Sequence, residues 1–542
     1  MALAALSLAS LLIFNTVAAH IKQQTSEIGV MKALGARTFK IAQLYLLEIF
    51  LIALIAVLFG LPLSLITAHW SSCHILSLFN IECGVLDYSI RALLLMIFGG
   101  LLIPLLAASA PVLNGARMNV RRAIASYGLG SDYGSNRFDR WLEKISAHFI
   151  STIYAAALGN MFRRKGRLFL TQLTLMIAGL TFMVLMSLIA SVNLTLDNEM
   201  NRSRFDVRLG LKPDRAEQTV RELALKLPQT EAVEIWQRLP MTMSQGDKAL
   251  RQKGSLGAQL LALPAESPMY RPLIEQGRWF ETSDIGQRVI VLSADRAELN
   301  HLEVGDSIEI GLFSDVSTWK VIGFYRWLAG NEFAIEPVYA PIETVRQHLQ
   351  LKNQASFIML DAKIDDINEE TEYLNAVKKA FENQKMNLDV YTTIAKLEQR
   401  KFVTNQFNPV IGTLSGLAAM IVIVGGIGLA GTLTINVLQR THEIGVMRSI
   451  GARYHQIFKL FLMEGLLHGF FSWLISLPIA YFAAKPIADL LGKIMLGIRL
   501  DFAFDSLAGA YWLGIVLILA LISAYWPARK AASLTVRQCL SH

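Results

Sequence analysis

Seven long apolar runs, separated by polar stretches, dominate the pattern of hydrophobic and polar positions along the chain. A helix needs about 20 mainly apolar residues to cross the hydrocarbon core of a bilayer, and each run has about that length or more. The composition fits a membrane protein, because 53% of the residues are hydrophobic and only 17% are charged. The pattern therefore predicts seven spanning helices, near residues 2–19, 41–68, 90–113, 168–192, 409–437, 456–484 and 508–526.

The segment 194–408 shows a different pattern, with short apolar runs that are typical of a domain outside the bilayer. Its two ends each predict a βαβ-like half, and the insert between them, at about 245–352, is rich in predicted strands. We expect an α+β base that carries a strand-rich subdomain. The predicted strands lie at 204–211, 230–239, 288–293, 306–312, 319–325, 356–361 and 387–392, and the helices at 214–227 and 367–384.

Lysine and arginine are unevenly distributed among the loops. The loops at 20–40, 114–167 and 438–455 are basic, whereas 69–89 has no Lys or Arg and 485–507 balances three basic residues with three Asp. Because cytoplasmic loops carry an excess of Lys and Arg, the basic loops are predicted to be cytoplasmic and the segment 194–408 to face outward. The net charge of +8 is then explained by anionic inner-leaflet lipid, and we expect no nucleic-acid partner.

One segment of the chain occurs twice. Residues 25–37 (TSEIGVMKALGAR) return as residues 441–453 (THEIGVMRSIGAR), an offset of 416 residues. One register maintained over roughly a hundred residues indicates a duplicated membrane module. The same offset, without a gap, aligns Ile41 with Ile457, Glu48 with Glu464, Pro62 with Pro478, and Pro111 with Pro527.

The repeat and the apolar runs together divide the chain into five parts. The first copy lacks a counterpart of the span near 168–192 and of the domain that follows it. About 250 residues ahead of Met1 would supply both, so we expect an N-terminally incomplete two-copy protein. The parts are a first module with three spans (1–128), a cytoplasmic linker with an amphipathic entry helix (129–166), the first span of the second copy (167–193), the outward domain (194–408) and a second module with three spans (409–542).

These segments resemble the FtsX-like permease family, the ABC transporter membrane subunits of the MacB and LolC/LolE type. The repeated EIGVM(K/R)x(L/I)GAR sequence carries the resemblance most specifically, together with PARKAA at 527–532 and ALGNMFRRKGRLFLT at 157–171. The outward segment resembles the family's MacB-like periplasmic core domain through QGRWF at 276–280, LEVGD at 302–306 and PVYAP at 337–341. The first copy departs from the pattern at 111–117 (PVLNGAR), where the Pro-x-Arg spacing is lost.

The resemblance implies an α-helical membrane protein with duplicated FtsX-like transmembrane modules and an α+β extracytoplasmic domain. Its implied function is that of an ABC transporter permease, which couples ATP hydrolysis to export or extraction of a substrate from the outer leaflet or the extracytoplasmic space. The implied location is the bacterial plasma (inner) membrane, with several spans and a cytoplasmic C-terminus. The alternative is an FtsX-type signalling or scaffold protein that activates a cell-wall hydrolase or senses a peptide.

The chain contains no GxxxxGK(S/T) phosphate loop, so we expect nucleotide hydrolysis in another polypeptide. By resemblance, this partner is a cytoplasmic ABC ATPase dimer, which uses the ATP and Mg. The chain itself is then not an enzyme, has no catalytic residues and binds no cofactor directly. Membrane lipid and a periplasmic or extracellular accessory protein complete the implied partners.

The repeated motif is predicted to couple the two proteins. A carboxylate near the start of each short helix complements the helix dipole, basic residues lie toward its end, and glycines allow a close approach or a turn. The alternative is an amphipathic connector that rests on lipid headgroups. The predicted coupling residues are Glu27, Gly29, Lys32, Gly35 and Arg37, with their counterparts Glu443, Gly445, Arg448, Gly451 and Arg453.

The cysteine and histidine residues near the first outward loop give a weaker indication of a functional site. Cys73 and Cys83 share one outward loop, an oxidising location, and are a candidate disulfide, whereas Cys539 is predicted to be a free cytoplasmic thiol. His69 and His74 lie beside Cys73, but the set is incomplete for tetrahedral zinc, and we predict no metal site.

Two equivalent carboxylates, Glu48 and Glu464, lie about two turns into their spans. An intramembrane carboxylate is a candidate functional group. These two are close enough to the cytoplasmic interface that we expect hydration, or pairing with Lys40 or Lys459, in place of a proton relay.

Overall fold

A computed structural model of the chain describes residues 2–77, 82–85, 88–119, 157–159, 161–162, 165–246, 248–251, 258–313, 315–327, 335–364, 366–495 and 499–536. The chain forms two compact units. The membrane unit comprises Met1–Leu188, Pro409–Lys485 and Phe504–His542, and the domain unit comprises Ile189–Asn408 and Pro486–Ala503. Most of the predicted linker at 129–166, and Cys539, lie outside the described residues.

The helices are named in chain order. They are α1 (Ala2–Gln23), α2 (Thr25–Ala33), α3 (Thr38–Ser77), α4 (Ile90–Ala116), α5 (Lys165–Arg202), α6 (Glu217–Leu225), α7 (Ala294–Asn300), α8 (Ile342–Leu349), α9 (Ile367–Asn383), α10 (Lys396–Gln439), α11 (Thr441–Ser449), α12 (Tyr454–Met495) and α13 (Ser506–Ser533).

All seven predicted spans are confirmed as helices. Those long and apolar enough to cross a membrane, within the described residues, are α1, α3, α4, α5, α10, α12 and α13. Each is longer than its apolar run, because polar residues at the ends continue the helix beyond the segment that a bilayer needs. The chain is therefore a multi-pass α-helical membrane protein.

The described residues of the domain unit form one continuous sheet of 11 strands. Its main order is β11-β1-β10-β2-β4-β9-β6-β8-β5, while β3 pairs with β2, and β7 pairs with both β2 and β8. The strands are β1 (Val207–Ala216), β2 (Thr230–Gln245), β3 (Lys248–Ala249), β4 (Ala258–Leu263), β5 (Ile274–Gly277), β6 (Val289–Ser293), β7 (Ser307–Leu312), β8 (Asp315–Tyr325), β9 (Glu336–Pro341), β10 (Gln354–Ala362) and β11 (Ile394–Ala395).

The two predicted βαβ-like halves are interleaved in the base of this sheet. Strand β10 lies between β1 and β2 and is antiparallel to both, so β1 and β2 are parallel without being adjacent. Strand β11 pairs with the other edge of β1. The result is a split βαβ arrangement with α6 and α9 as the connecting helices. The core of this base includes Val207, Leu209, Ile358, Leu360 and Phe381.

The predicted strand at 387–392 is wrong. Only Leu388 forms a bridge there, with Leu211. The next residues form a turn, in which the N–H groups of Thr392 and Thr393 donate to the carbonyl of Asp389. Strand pairing resumes at β11, after this turn has used the local backbone groups.

The strand-rich insert shares a strand with the base. Strand β2 extends beyond its predicted end and pairs with β10 at one end and with β4 and β7 at the other. The three predicted insert strands are confirmed as β6, β7 and β8. Trp319 of β8 is completely buried in the core of the insert.

A loop that the sequence grouped with the second module folds with the domain unit. This loop, within Pro486–Ala503, donates two backbone hydrogen bonds to side chains near the end of α5. The N–H of Asp501 donates to the hydroxyl of Thr195 (2.8 Å), and the N–H of Ala503 donates to the hydroxyl of Ser191 (3.0 Å). Polar side chains at the end of an apolar helix thus fix a loop that hydrophobic pattern alone assigns elsewhere.

Candidate functional site

The repeated motif forms the same structure in both copies. Helices α2 and α11 are each nine residues long, and two residues after the end of each lies a glycine with positive φ, +95° at Gly35 and +103° at Gly451. The following N–H groups donate back to the carbonyls of Met31 (3.0 Å) and Met447 (2.9 Å). A left-handed residue closed by such a bond terminates a helix and favours glycine.

One face of each short helix packs into the membrane unit. Ile28 and Ile444 are buried, and so are Gly29 and Gly445. The lack of a side chain at Gly29 and Gly445 therefore allows close packing inside the unit. Gly29 and Gly445 are therefore not accessible from outside the unit, in contrast to the exposed Gly35 and Gly451.

The basic residue of each motif binds the end of the last helix of its own module. The Lys32 Nζ atom donates to the carbonyl of Met118 (2.7 Å), just after α4, and the Arg448 guanidinium donates to the carbonyl of Ala532, near the end of α13. A cation at a helix C-terminus satisfies terminal carbonyls and complements the dipole. Movement of α2 or α11 would therefore act directly on α4 or α13.

The opposite face of each short helix is apolar and exposed. Leu34 and Ile450 are 83% and 82% exposed, and Val30 and Val446, one turn earlier, are also exposed. Residues four positions apart lie on the same face of a helix. Each copy thus presents a small apolar surface, bordered by the exposed Arg37 or Arg453.

A groove of about 590 Å³ lies beside α11. Both arginines of the second motif line it, together with the glycine that ends the helix. The opposite wall comes from the residues after α13. Its lining includes Arg448, Gly451, Arg453, Tyr454, Ser533 and Leu534.

The buried carboxylate of α12 connects to the second motif through an arginine that the sequence analysis missed. Glu464 accepts a hydrogen bond from the amide of Asn436 (3.0 Å), and its other oxygen lies 3.5 Å from the Arg440 guanidinium. Arg440 also binds Glu443, at 2.9 Å. The sequence predicts that Glu464 is hydrated or paired with Lys459; in the structure Glu464 is buried, and the cation found beside it is Arg440, which lies between α10 and α11.

The first copy repeats this contact in a weaker form. Glu48 lies 3.6 Å from the Nε2 atom of His20, and the 416-residue offset aligns His20 with Asn436. Gln24 stands where the second copy has Arg440. The side chain found beside Glu48 is therefore His20 and not the expected Lys40. An arginine equivalent to Arg440 is present in the second copy alone.

A second polar site lies in the domain unit, around Arg326. Its buried guanidinium donates to Asp501 through two hydrogen bonds (2.8 and 3.0 Å) and to Glu199 (3.3 Å). These bonds hold the pKa of the Asp501 carboxyl below its usual value. Arg326 therefore joins the end of β8, the end of α5 and the loop before α13.

The start of α10 is held by a buried carboxylate in the same unit. Glu370 of α9 accepts hydrogen bonds from the N–H groups of Leu397 (2.7 Å) and Glu398 (2.9 Å). Burial raises the pKa of Glu370, and these two bonds oppose the shift. Arg400 of α10 also forms an ion pair with Asp197 of α5.

Glu370→Ala is expected to lower the stability of the domain unit by about 1–3 kcal/mol, because two N–H groups at the start of α10 lose their acceptor. Thermal denaturation of the detergent-solubilised chain measures this loss. The exposed neighbour Glu372, changed to Ala, is the matched control and should alter stability by less than about 0.5 kcal/mol. Equal melting temperatures for both variants would show that Glu370 does not cap the helix.

The two cysteines of the candidate disulfide are bonded to each other. Cys73 and Cys83 are bonded, with their Cα atoms 5.1 Å apart, and the Nε2 atom of His69 lies 3.5 Å from the Cys73 sulfur. Metal ions bind the thiolate form of cysteine. With both sulfurs in the disulfide, this cluster offers no thiolate.

Two family profiles match the chain on the segments described above. The FtsX-like permease C-terminal profile matches residues 1–120 and 415–536, which are the two copies of the module. The MacB-like periplasmic core domain profile matches residues 168–377, which include α5 and most of the sheet. Together they account for both the repeat and the inserted domain.

Three similar proteins illustrate the extent of the match. An uncharacterized ABC transporter permease of Methanocaldococcus jannaschii is 25% identical over 48% of this chain and 63% of its own length. The macrolide export ATP-binding/permease protein MacB of Nitrosomonas europaea is 26% identical over 53% and 44%. The uncharacterized ABC transporter permease YknZ of Bacillus subtilis is 24% identical over 50% and 66%. The match therefore spans less than two thirds of each of these relatives.

Proposed function

We propose, because the chain belongs to the FtsX-like permease family, that it is the permease subunit of an ABC transporter. It couples ATP hydrolysis by a separate cytoplasmic ABC ATPase dimer to export or extraction of a substrate from the outer leaflet or the extracytoplasmic space. ATP and Mg are used by that partner, and this chain supplies the transmembrane helices and the outward domain.

The duplicated coupling helix carries this proposal. Two short helices with the same end geometry, the same buried face and the same exposed apolar face suit a partner that presents two equivalent surfaces. An ATPase dimer is such a partner. The groove beside α11 adds two arginines that can bind acidic side chains on the docked subunit.

Transmission from the docked ATPase follows the contacts within the membrane unit. A displacement of α2 or α11 reaches α4 or α13 through Lys32 and Arg448, and it reaches α12 through Arg440 and Glu464. In the domain unit, Arg400 and Glu370 hold the ends of α5 and α10. We propose that these helices carry the movement mechanically, without substrate passage through a central pore.

Orientation is tested by single-cysteine labelling in a background without Cys73, Cys83 and Cys539. A cysteine at the exposed Ser506 should react with an impermeant maleimide on intact cells, because the 416-residue offset aligns its loop with residues 69–89, which contain no Lys or Arg. A cysteine at the exposed Ser533 should react only after permeabilisation. Labelling of Ser533 from outside would reverse the orientation and remove α11 from the cytoplasm.

Reconstitution with candidate ABC ATPase subunits tests the proposed function. We expect a stable complex whose ATP hydrolysis is stimulated by the chain in proteoliposomes and whose cargo release depends on ATP. If every ATPase of the source cell fails to bind the chain, the permease assignment is contradicted. Stimulated hydrolysis that activates only a bound cell-wall hydrolase would favour the signalling alternative.

A further inference from the structure

The domain unit carries an arginine-rich pocket that the proposed coupling does not use. The pocket has a volume of about 480 Å³ and lies where the end of α5 meets the loop before β5. Three arginines line it, Arg202, Arg204 and Arg271, beside an apolar wall that includes Pro272 and Leu273.

Positive charge exceeds negative charge in this pocket. Glu199 forms an ion pair with Arg202 and is shared with Arg326, whose other carboxylate partner is Asp501. Among the residues that the structure describes, Arg204 and Arg271 form no ion pair, and both are exposed. Two guanidinium groups are thus left to bind an external anion.

The backbone fixes the arginine-bearing segments against each other. The N–H of Arg204 donates to the carbonyl of Met269 (2.7 Å), and the N–H of Arg271 donates to the carbonyl of Arg202 (3.3 Å). Pro268 and Pro272 restrict the φ angles of the loop on either side of Arg271. A site whose backbone is already ordered loses less conformational entropy when it binds.

We propose that this pocket binds a phosphate group. The planar guanidinium fork matches the oxygens of a phosphate, and a phosphate monoester carries about −1.5 to −2 charges, which suits two unpaired arginines. The apolar wall fits the carbon portion of the same ligand. That group comes from a lipid headgroup or from a soluble phosphate compound. That the pocket recognises part of the cargo rests on the proposed function. That the pocket binds a phosphate group does not depend on it.

Calorimetry on the full chain in dodecyl maltoside, without ATP or an ATPase, tests the proposal. The probes are inorganic phosphate and dihexanoyl phosphatidic acid, which is soluble below its micellar concentration. We expect at least one probe to bind, and an Arg204→Gln, Arg271→Gln double variant to bind it about tenfold or more weakly. The exposed Arg288, changed to Gln, is the matched control in the same unit and should leave binding unchanged.

Binding of both probes with similar affinity would identify phosphate itself as the recognised group, and binding of phosphatidic acid alone would identify a lipid source. Failure of both probes would overturn the proposal, as would equal losses in the double variant and the control. Because the assay omits the ATPase, such a failure leaves the coupling proposal intact. An unchanged melting temperature for the Arg204→Gln, Arg271→Gln double variant shows that its loss of binding is not unfolding.

Discussion

A chain with Leu34→Glu and Ile450→Glu is expected to insert and fold normally but to lose stimulated ATP hydrolysis, by roughly tenfold or more. Both side chains are more than four-fifths exposed, so the substitutions remove little packing within the chain. A carboxylate forced into an apolar interface without a partner costs several kcal/mol, and about 1.4 kcal/mol is a factor of ten in affinity. ATP hydrolysis and co-purification of the ATPase, measured in proteoliposomes, give the result.

The matched control is Val390→Glu, which places the same charge at an equally exposed apolar residue of the domain unit. It should leave hydrolysis unchanged. Full stimulation in the double variant would mean that α2 and α11 only rest on lipid headgroups. The single variants report on the copies separately, and each should lose part of the stimulation if both helices dock.

Arg326→Met is expected to destabilise the domain unit by about 3 kcal/mol. The substitution keeps an extended side chain but leaves the carboxylates of Asp501 and Glu199 without their shared cation, and an unpaired charge in a largely buried site is costly. Because Arg326 joins β8 to the loop before α13, the variant should also transport less per ATP hydrolysed. Thermal denaturation and the ratio of cargo released to ATP hydrolysed measure the two effects.

One further variant at this site and one control variant elsewhere in the domain unit separate the effect of charge from that of side-chain shape. Asp501→Asn retains the shape of the partner and should cost less than Arg326→Met, because Glu199 still pairs with the arginine. An exposed arginine changed in the same unit, Arg288→Gln, should have no effect on stability beyond about 0.5 kcal/mol. A wild-type melting temperature for Arg326→Met would show that Arg326 does not stabilise the domain unit.

The membrane helices and most of the sheet could be predicted from sequence because each follows from a local pattern. Apolar length defines the spans, alternating burial defines strands such as β7, and short continuous buried runs define β6 and β10. The failure at 387–392 arose because a turn at Asp389 uses the backbone groups that a strand would pair. The alternation of apolar and polar side chains in residues 387–392 does not reveal this turn.

The repeated motif shows a similar limit of sequence-based prediction. Its charges and glycines indicated a short helix at both positions, and both helices are present. The inward orientation of Gly29 and Gly445 was not predictable, since it depends on packing against other elements of the membrane unit. Arg326 carried no local signal at all, because its partners lie 127 and 175 residues away in the sequence.

Site-specific photo-crosslinking tests most directly the central claim, which is that α2 and α11 bind the ABC ATPase. A benzophenone amino acid placed at Leu34 or at Ile450 should form a covalent adduct with the ABC ATPase subunit in native membranes, and the same probe at Val390 should not. Adducts at both motif positions would place the two repeated helices at the ATPase. Crosslinks from Leu34 and Ile450 to lipid alone, in membranes where the ATPase is present and the chain is intact, would contradict the claim.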